Sequence, residues 1–174
     1  MALQIVLLVA VTLIPALELR ASIPYGILGN ESLGITPGLM SWPLVSIVCV
    51  AANIVLGWGV FWILSPILRA LEHWDWFRRR LEPIILHTQR RLRPYVDKYG
   101  EWGVALFIGI PLPGSGVYTG AFGAFLLGLD RRRFAVANVI GVLIAGTAVT
   151  VVSLLIRRGL EMPWLDWIIK TAGH

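Results

Sequence analysis

Charge is what this chain has least of. Its 174 residues carry 15 Lys and Arg and 10 Asp and Glu, 14% charged, where a soluble domain holds roughly 25%. Only Glu18, Arg20 and Glu31 are charged between Met1 and Pro66. No charge occurs from Trp102 to Leu129, or from Phe134 to Ile156. Hydrophobic residues make up 57% and the mean hydropathy is +0.76. Uncharged runs of this length exclude an ordinary soluble domain and are candidate membrane segments.

Cysteine is also scarce. Cys49 stands alone inside an apolar run, which excludes a disulfide framework and a CxxC site and fits a small packing residue. No HExxH, GxSxG or paired-carboxylate arrangement is present. His73, His87 and His174 fall in surface helices or at the terminus. No catalytic residue, metal site or cofactor is therefore expected, and the chain does not read as an enzyme. The net charge of +5 does not point to nucleic acid. Its cations cluster at the ends of apolar runs, where cytoplasmic loops meet anionic lipid. No basic residue precedes the first apolar stretch and no small-x-small site follows Leu17, so that stretch is expected to be retained.

What is present divides into two halves. Ala2 to Leu17 is apolar but contains Pro15, and sixteen residues of helix rise about 24 Å, short of a ~30 Å hydrocarbon core. Glu18, Arg20, Pro24 and a series of glycines follow, too broken for one straight helix. A short span with an external loop fits, and so does a hairpin that enters and leaves on one side. Ser41 to Ser65 is a span with Trp42 near one end and Trp58 and Trp62 near the other, and Pro66 marks its end. From Ile67 to Tyr99 apolar residues recur at helical spacing opposite Arg69, Arg78, Arg79, Arg80, Arg90, Arg91, Arg93 and Lys98. That pattern predicts two amphipathic helices on the cytoplasmic membrane surface.

Trp102 to Leu129 is interrupted by Pro111-Leu112-Pro113-Gly114-Ser115-Gly116, which breaks a helix. Basic flanks on both sides favour a re-entrant hairpin; a kinked span is the rival. Phe134 to Ile156 is a clear span, and residues 158–174 form an interfacial tail. The whole is one membrane domain: first half 1–66, cytoplasmic connector 67–99, second half 100–157, tail 158–174. The expected fold is all-α and multi-pass, with two spanning helices and two broken, re-entrant hairpins. Val50-Ala51-Ala52-Asn53-Ile54 and Ala135-Val136-Ala137-Asn138-Val139 sit alike in the two spans, and together with the topology suggest an inverted repeat.

Glu18 and Arg20 are the leading functional candidates, because an ionisable group at membrane depth costs several kcal/mol and normally has a task and a partner. Arg20 would hold an anionic group, while Glu18 would titrate or bind a cation; the bland reading is a structural pair at the water interface. Pro111 to Thr119 offers backbone N–H groups freed by glycine, with hydroxyls on Ser115, Tyr118 and Thr119. Asn53 and Asn138 would bond across helices or satisfy broken backbone.

Glu18-Leu19-Arg20-Ala21-Ser22-Ile23-Pro24 resembles the ELRxxIP signature of the small multi-drug export proteins of prokaryotes. Ile110 to Gly120 (IPLPGSGVYTG) resembles their IPLPGTGxxTG loop. The likeness spans nearly the whole chain and is weakest in the amphipathic middle. It implies a multi-pass exporter in the prokaryotic cell membrane, with Glu18, Arg20, Pro24, Pro111, Pro113, Gly114, Ser115, Gly116 and Thr119 as hallmark positions. A more distant likeness is to DedA-type proteins, which have paired re-entrant hairpins and include carriers of polyprenyl-phosphate lipids. Tyr99-Gly100, Phe107-Ile108-Gly109, Pro113-Gly114, Asn138 and Gly141 carry that likeness. The two arginines of the DedA-type loop correspond here to Ile110 and Gly116, so phosphate binding by this loop is not implied. Three readings stay open: a small-molecule exporter, an anionic-lipid carrier, and a non-transporting scaffold. Expected partners are membrane lipids, a small-molecule or lipid substrate, and a second copy of the chain in a homodimer.

Overall fold

The computed structural model describes residues 1–15, 17–71, 100–110 and 115–159. Within them the regular elements are helical: α1 Ala2–Leu13, α2 Glu18–Leu28, a 3-10 turn Glu31–Leu33, and α3 Trp42–Leu71. Then come α4 over residues 100–109, α5 Val117–Leu126 and α6 Arg131–Arg157. The predicted amphipathic helices (67–99) and interfacial tail (158–174) lie outside the described residues from 72 and from 160 onward, while residues 67–71 prolong α3.

Among the described residues two helices are long and apolar enough to cross a membrane: Trp42–Leu64 within α3, and α6. Only 22% and 33% of their most apolar windows are buried. The core helix of a soluble protein would be mostly buried, whereas these helices leave most of their apolar surface uncovered. Exposed Ile47, Val55, Ile63, Val136, Leu143 and Val151 make up that outward face.

The prolines act in two ways. Ahead of Pro15, Ile14 takes an extended conformation (φ −75°, ψ 123°) and α1 stops, because a residue before proline is pushed out of the helical region. Pro66, by contrast, does not end its helix. α3 continues through it to Leu71, past the Ser65 end that the sequence suggested. A proline there removes the one N–H that would have reached Trp62. Pro24 likewise sits inside α2 and cannot donate to the Arg20 carbonyl.

In each half the two short helices on either side of the break touch. In the first, Thr12 Oγ1 lies 2.7 Å from Ser22 Oγ, and α1 packs on α2. In the second, a Cβ added at Gly120 on α5 would lie 2.4 Å from Ile108 Cγ1 on α4. The halves then cross over. α2 packs on α6, and α5 packs on α3, so the short helix after each break lies against the long helix of the other half.

The long helices run antiparallel along a continuous seam. Ser46 and Thr150 hydroxyls meet at 2.9 Å. A Cβ at Gly146 would lie 2.5 Å from Val50, and one at Gly57 would lie 2.4 Å from Asn138 Oδ1. At the far end Phe61 and Phe134 stack with centroids 4.3 Å apart, and Arg131 sits 5.5 Å over the Trp62 ring. In lipid, apolar side chains gain little by leaving the lipid tails for a helix partner. Close backbone approach at small residues and a few polar bonds hold such a seam instead. Asn138 serves that end, donating from Nδ2 to Ile54 O at 3.0 Å.

Candidate functional site where the two breaks meet

Glu18 opens α2 directly after the first break and is 4% exposed. Its φ of 48° makes it the one non-glycine residue with positive φ among the described residues. That conformation disfavours a residue with a Cβ by roughly 1–2 kcal/mol and persists only where surrounding contacts fix it. Those contacts come from the other half. Val117 N donates to Glu18 Oε2 at 3.2 Å, and Tyr118 N points at Oε1 at 3.5 Å. These are first-turn amides of α5, which have no partner within their own helix. A carboxylate there also meets the positive end of the helix dipole.

Gly116 makes this approach possible. A Cβ at that position would sit 2.5 Å from Glu18 Oε2 and 2.6 Å from Oε1. Its φ of 175° is ordinary extended backbone, so the requirement is space, not backbone freedom. Gly116 N is capped by the Thr119 hydroxyl at 3.1 Å, which helps fix the first turn of α5.

Arg20, half-buried one short step along α2, reaches the same loop. Its Nη2 donates to Ser115 Oγ at 3.0 Å and points at Ile110 O at 3.5 Å. Ser115 Oγ in turn donates to Ile110 O at 2.6 Å. Tyr118 Oη closes the arrangement by donating to Leu13 O at 2.5 Å. Glu18 thus accepts from, and Arg20 donates to, residues about a hundred positions away, across the two breaks.

The structure therefore brings together Glu18, Arg20, Ser115, Gly116 and Thr119 of the sequence candidates. Pro24 lies one turn further along α2. Pro111, Pro113 and Gly114 lie outside the described residues. Asn53 and Asn138 are placed on α3 and α6, 1% and 0% exposed. Sequence reasoning missed Thr12, Ser22 and Gly57. Thr12 and Ser22 are both fully buried and bonded to each other. The available signal was a hydroxyl inside an otherwise apolar stretch, ten residues from its mate across Pro15. Among the described residues no group of three His, Cys, Asp or Glu is placed to hold a metal ion.

A family model described as "Putative small multi-drug export protein" matches residues 18–148. The chain belongs to this family. The match begins at Glu18 itself and takes in α2, α3, both sides of the second break and most of α6. The export-protein description and the two apolar helices make this a membrane protein, and the description points to a transporter rather than an enzyme. No curated protein and no solved structure matches the chain.

Proposed function

We propose that this export-family protein is a secondary transporter whose pathway runs between the two breaks, with Glu18 as the group that couples movement to an ion. One observation carries the reading: a buried, conformationally strained carboxylate from the first half is held by the open N-terminus of a helix from the second half. Neutralising or ligating that carboxylate weakens its hold on the α5 amides and lets the halves part. That is a bistable contact of the kind alternating access needs. The crossed arrangement of α2 on α6 and α5 on α3 supports an inverted repeat of two re-entrant hairpins. The clustered arginines of residues 67–99 support a cytoplasmic connector in the inner membrane.

The substrate class of this reading is small and lipophilic, as the family description suggests, with cations favoured near Glu18. The test is efflux of a cationic lipophilic dye from proteoliposomes by wild type and Glu18→Gln. Glutamine keeps an oxygen for the α5 amides but holds no charge, so the variant should fold and fail to transport. Normal efflux by Glu18→Gln sinks the assignment.

A specific observation favours a second reading, carriage of an anionic lipid headgroup. The half-buried Arg20 guanidinium has five N–H donors, and its hydrogen bonds among the described residues use Nη2 alone. Native mass spectrometry of gently extracted wild type and Arg20→Ala separates the two. A phospholipid lost only in the variant supports the carrier, and none in either protein removes it.

A further inference from the structure

Among the described residues two buried amide oxygens lack a hydrogen-bond partner, Asn53 Oδ1 and Asn138 Oδ1. An orphaned acceptor away from water loses about 1–3 kcal/mol of solvation, so each calls for an account. Asn138 has one. Its Nδ2 is anchored on Ile54 O, and its amide fills the space that a Cβ at Gly57 would need, so it is fixed as part of the α3–α6 seam. Asn53 has no such seat.

Its position follows from the register of α2 against α3. Gly26 lies on Val45, since a Cβ there would be 2.4 Å from Val45 Cγ1. One turn on, Ser22 faces the Cys49 thiol, as does Thr12 from α1. The two helices run antiparallel, so the next turn sets Glu18 level with Asn53. The seam among α1, α2 and α3 is thus apolar at Leu8 and Val45, then lined by Thr12, Ser22 and Cys49, and ends at Glu18 and Asn53. All seven residues are buried.

We infer that Glu18 and Asn53 form an oxygen site for a small monovalent cation, of which sodium is the probe, at the tip of the first hairpin. The chemistry of the donors argues this. Carboxylate and amide oxygens suit hard cations. The Arg20 guanidinium lies near enough to feel the Glu18 charge but directs its hydrogen bonds to Ser115 and Ile110 O, so the buried carboxylate can balance at most one further positive charge and not two. Each Glu18 oxygen has two lone pairs, so accepting from Val117 N or Tyr118 N leaves capacity for a ligand. Binding would draw carboxylate charge away from the α5 amides. The inference takes Glu18 as the coupling group of the transport reading and names its ion. Binding is measured without transport, so either can fail alone.

The experiment is thermal unfolding of the full chain in lipid nanodiscs at one pH and one ionic strength, with sodium chloride replacing choline chloride. Wild type should melt higher in sodium, by an amount that saturates with concentration. Asn53→Ala should lose that shift, and Glu18→Gln should lose it too. Asn138→Ala should melt lower in both salts and keep it. Asn53→Asp decides the matter if Asn53→Ala does not fold, because a second carboxylate should bring saturation at lower sodium. A wild type that melts alike in both salts overturns the site, as does a shift that survives in Asn53→Ala. So does an Asn53→Asp protein indifferent to sodium. A melting point that answers to pH but not to sodium makes the ion a proton, and also overturns it.

Discussion

The two breaks in this chain are built from opposite materials. The first, around Pro15, delivers charged side chains, Glu18 and Arg20. The second, from Ile110 to Gly116, delivers backbone above all: α5 amides, a carbonyl at Ile110 and a glycine that stands aside, with the Ser115 hydroxyl beside them. Neither is complete alone. A buried carboxylate without donors is expensive, and so is the bare first turn of a helix in lipid. Each offsets the other's deficit, which is why the halves are held together at this point and why releasing Glu18 would loosen them.

The largest test removes the charged side. Glu18→Ala strips the α5 amides of their acceptor and leaves Arg20 without a nearby carboxylate. Destabilisation on the order of 3 kcal/mol is expected, read as a lower melting point in detergent together with lost transport. A variant as stable as wild type would mean that the two materials do not depend on each other.

Filling the space at Gly116 attacks the same contact from the backbone side. Gly116→Ala places a methyl where the carboxylate lies, with a loss of about 1–3 kcal/mol expected from overpacking. The two changes should not add. Once Glu18 is Ala, the methyl at position 116 meets no carboxylate, so Glu18→Ala/Gly116→Ala should melt close to Glu18→Ala alone. Additive losses in the double-mutant cycle would show that Gly116 matters for some other reason than room for Glu18.

These contrasts also explain what could be read from the amino-acid order. The long helices were legible because charge is excluded over whole stretches, as from Phe134 to Ile156. The breaks were legible because Pro15 and the Pro111-to-Gly116 run leave a helix little choice. Glu18 and Arg20 stood out as charges in an apolar stretch. Their hydrogen-bond partners did not. Val117 N and Tyr118 N are main-chain groups that nearly every residue carries, and nothing local marks them as the ones a carboxylate will reach. Gly57 was hidden for a similar reason. Its role is the absence of a Cβ beneath Asn138, and a lone glycine in a span gives no hint of which neighbour needs the room. The end of α3 misled for a different reason: losing one helical hydrogen bond at Pro66 is not enough to stop a helix.

Arg20 offers a finer cut through the comparison. Ser115→Ala removes the hydroxyl that accepts from Arg20 Nη2, a hydrogen bond to a charged donor worth about 1.5–3 kcal/mol at most, and less at this half-buried position. Ile110 O remains as an acceptor within reach. A drop in melting point of a few degrees is expected, with transport retained. If Ser115→Ala instead stops transport at unchanged stability, Ser115 touches what is carried.

The smallest expected effect lies at a contact that reverses the pattern. Tyr118 is a side chain from the second half, and it donates to a backbone carbonyl of the first, Leu13 O. That carbonyl sits in the last turn of α1, where helical acceptors lack partners. Leu17 N, which a continuing helix would aim at Leu13, goes to Ile14 O instead. Tyr118→Phe therefore forfeits one neutral hydrogen bond, about 0.5–1.5 kcal/mol, at a half-buried site that water or a lipid headgroup can partly repair. Melting should fall slightly and efflux should persist. Efflux lost at unchanged melting temperature would break the division of labour between the two halves, because it would place a side chain of the second break among the groups that act rather than those that hold.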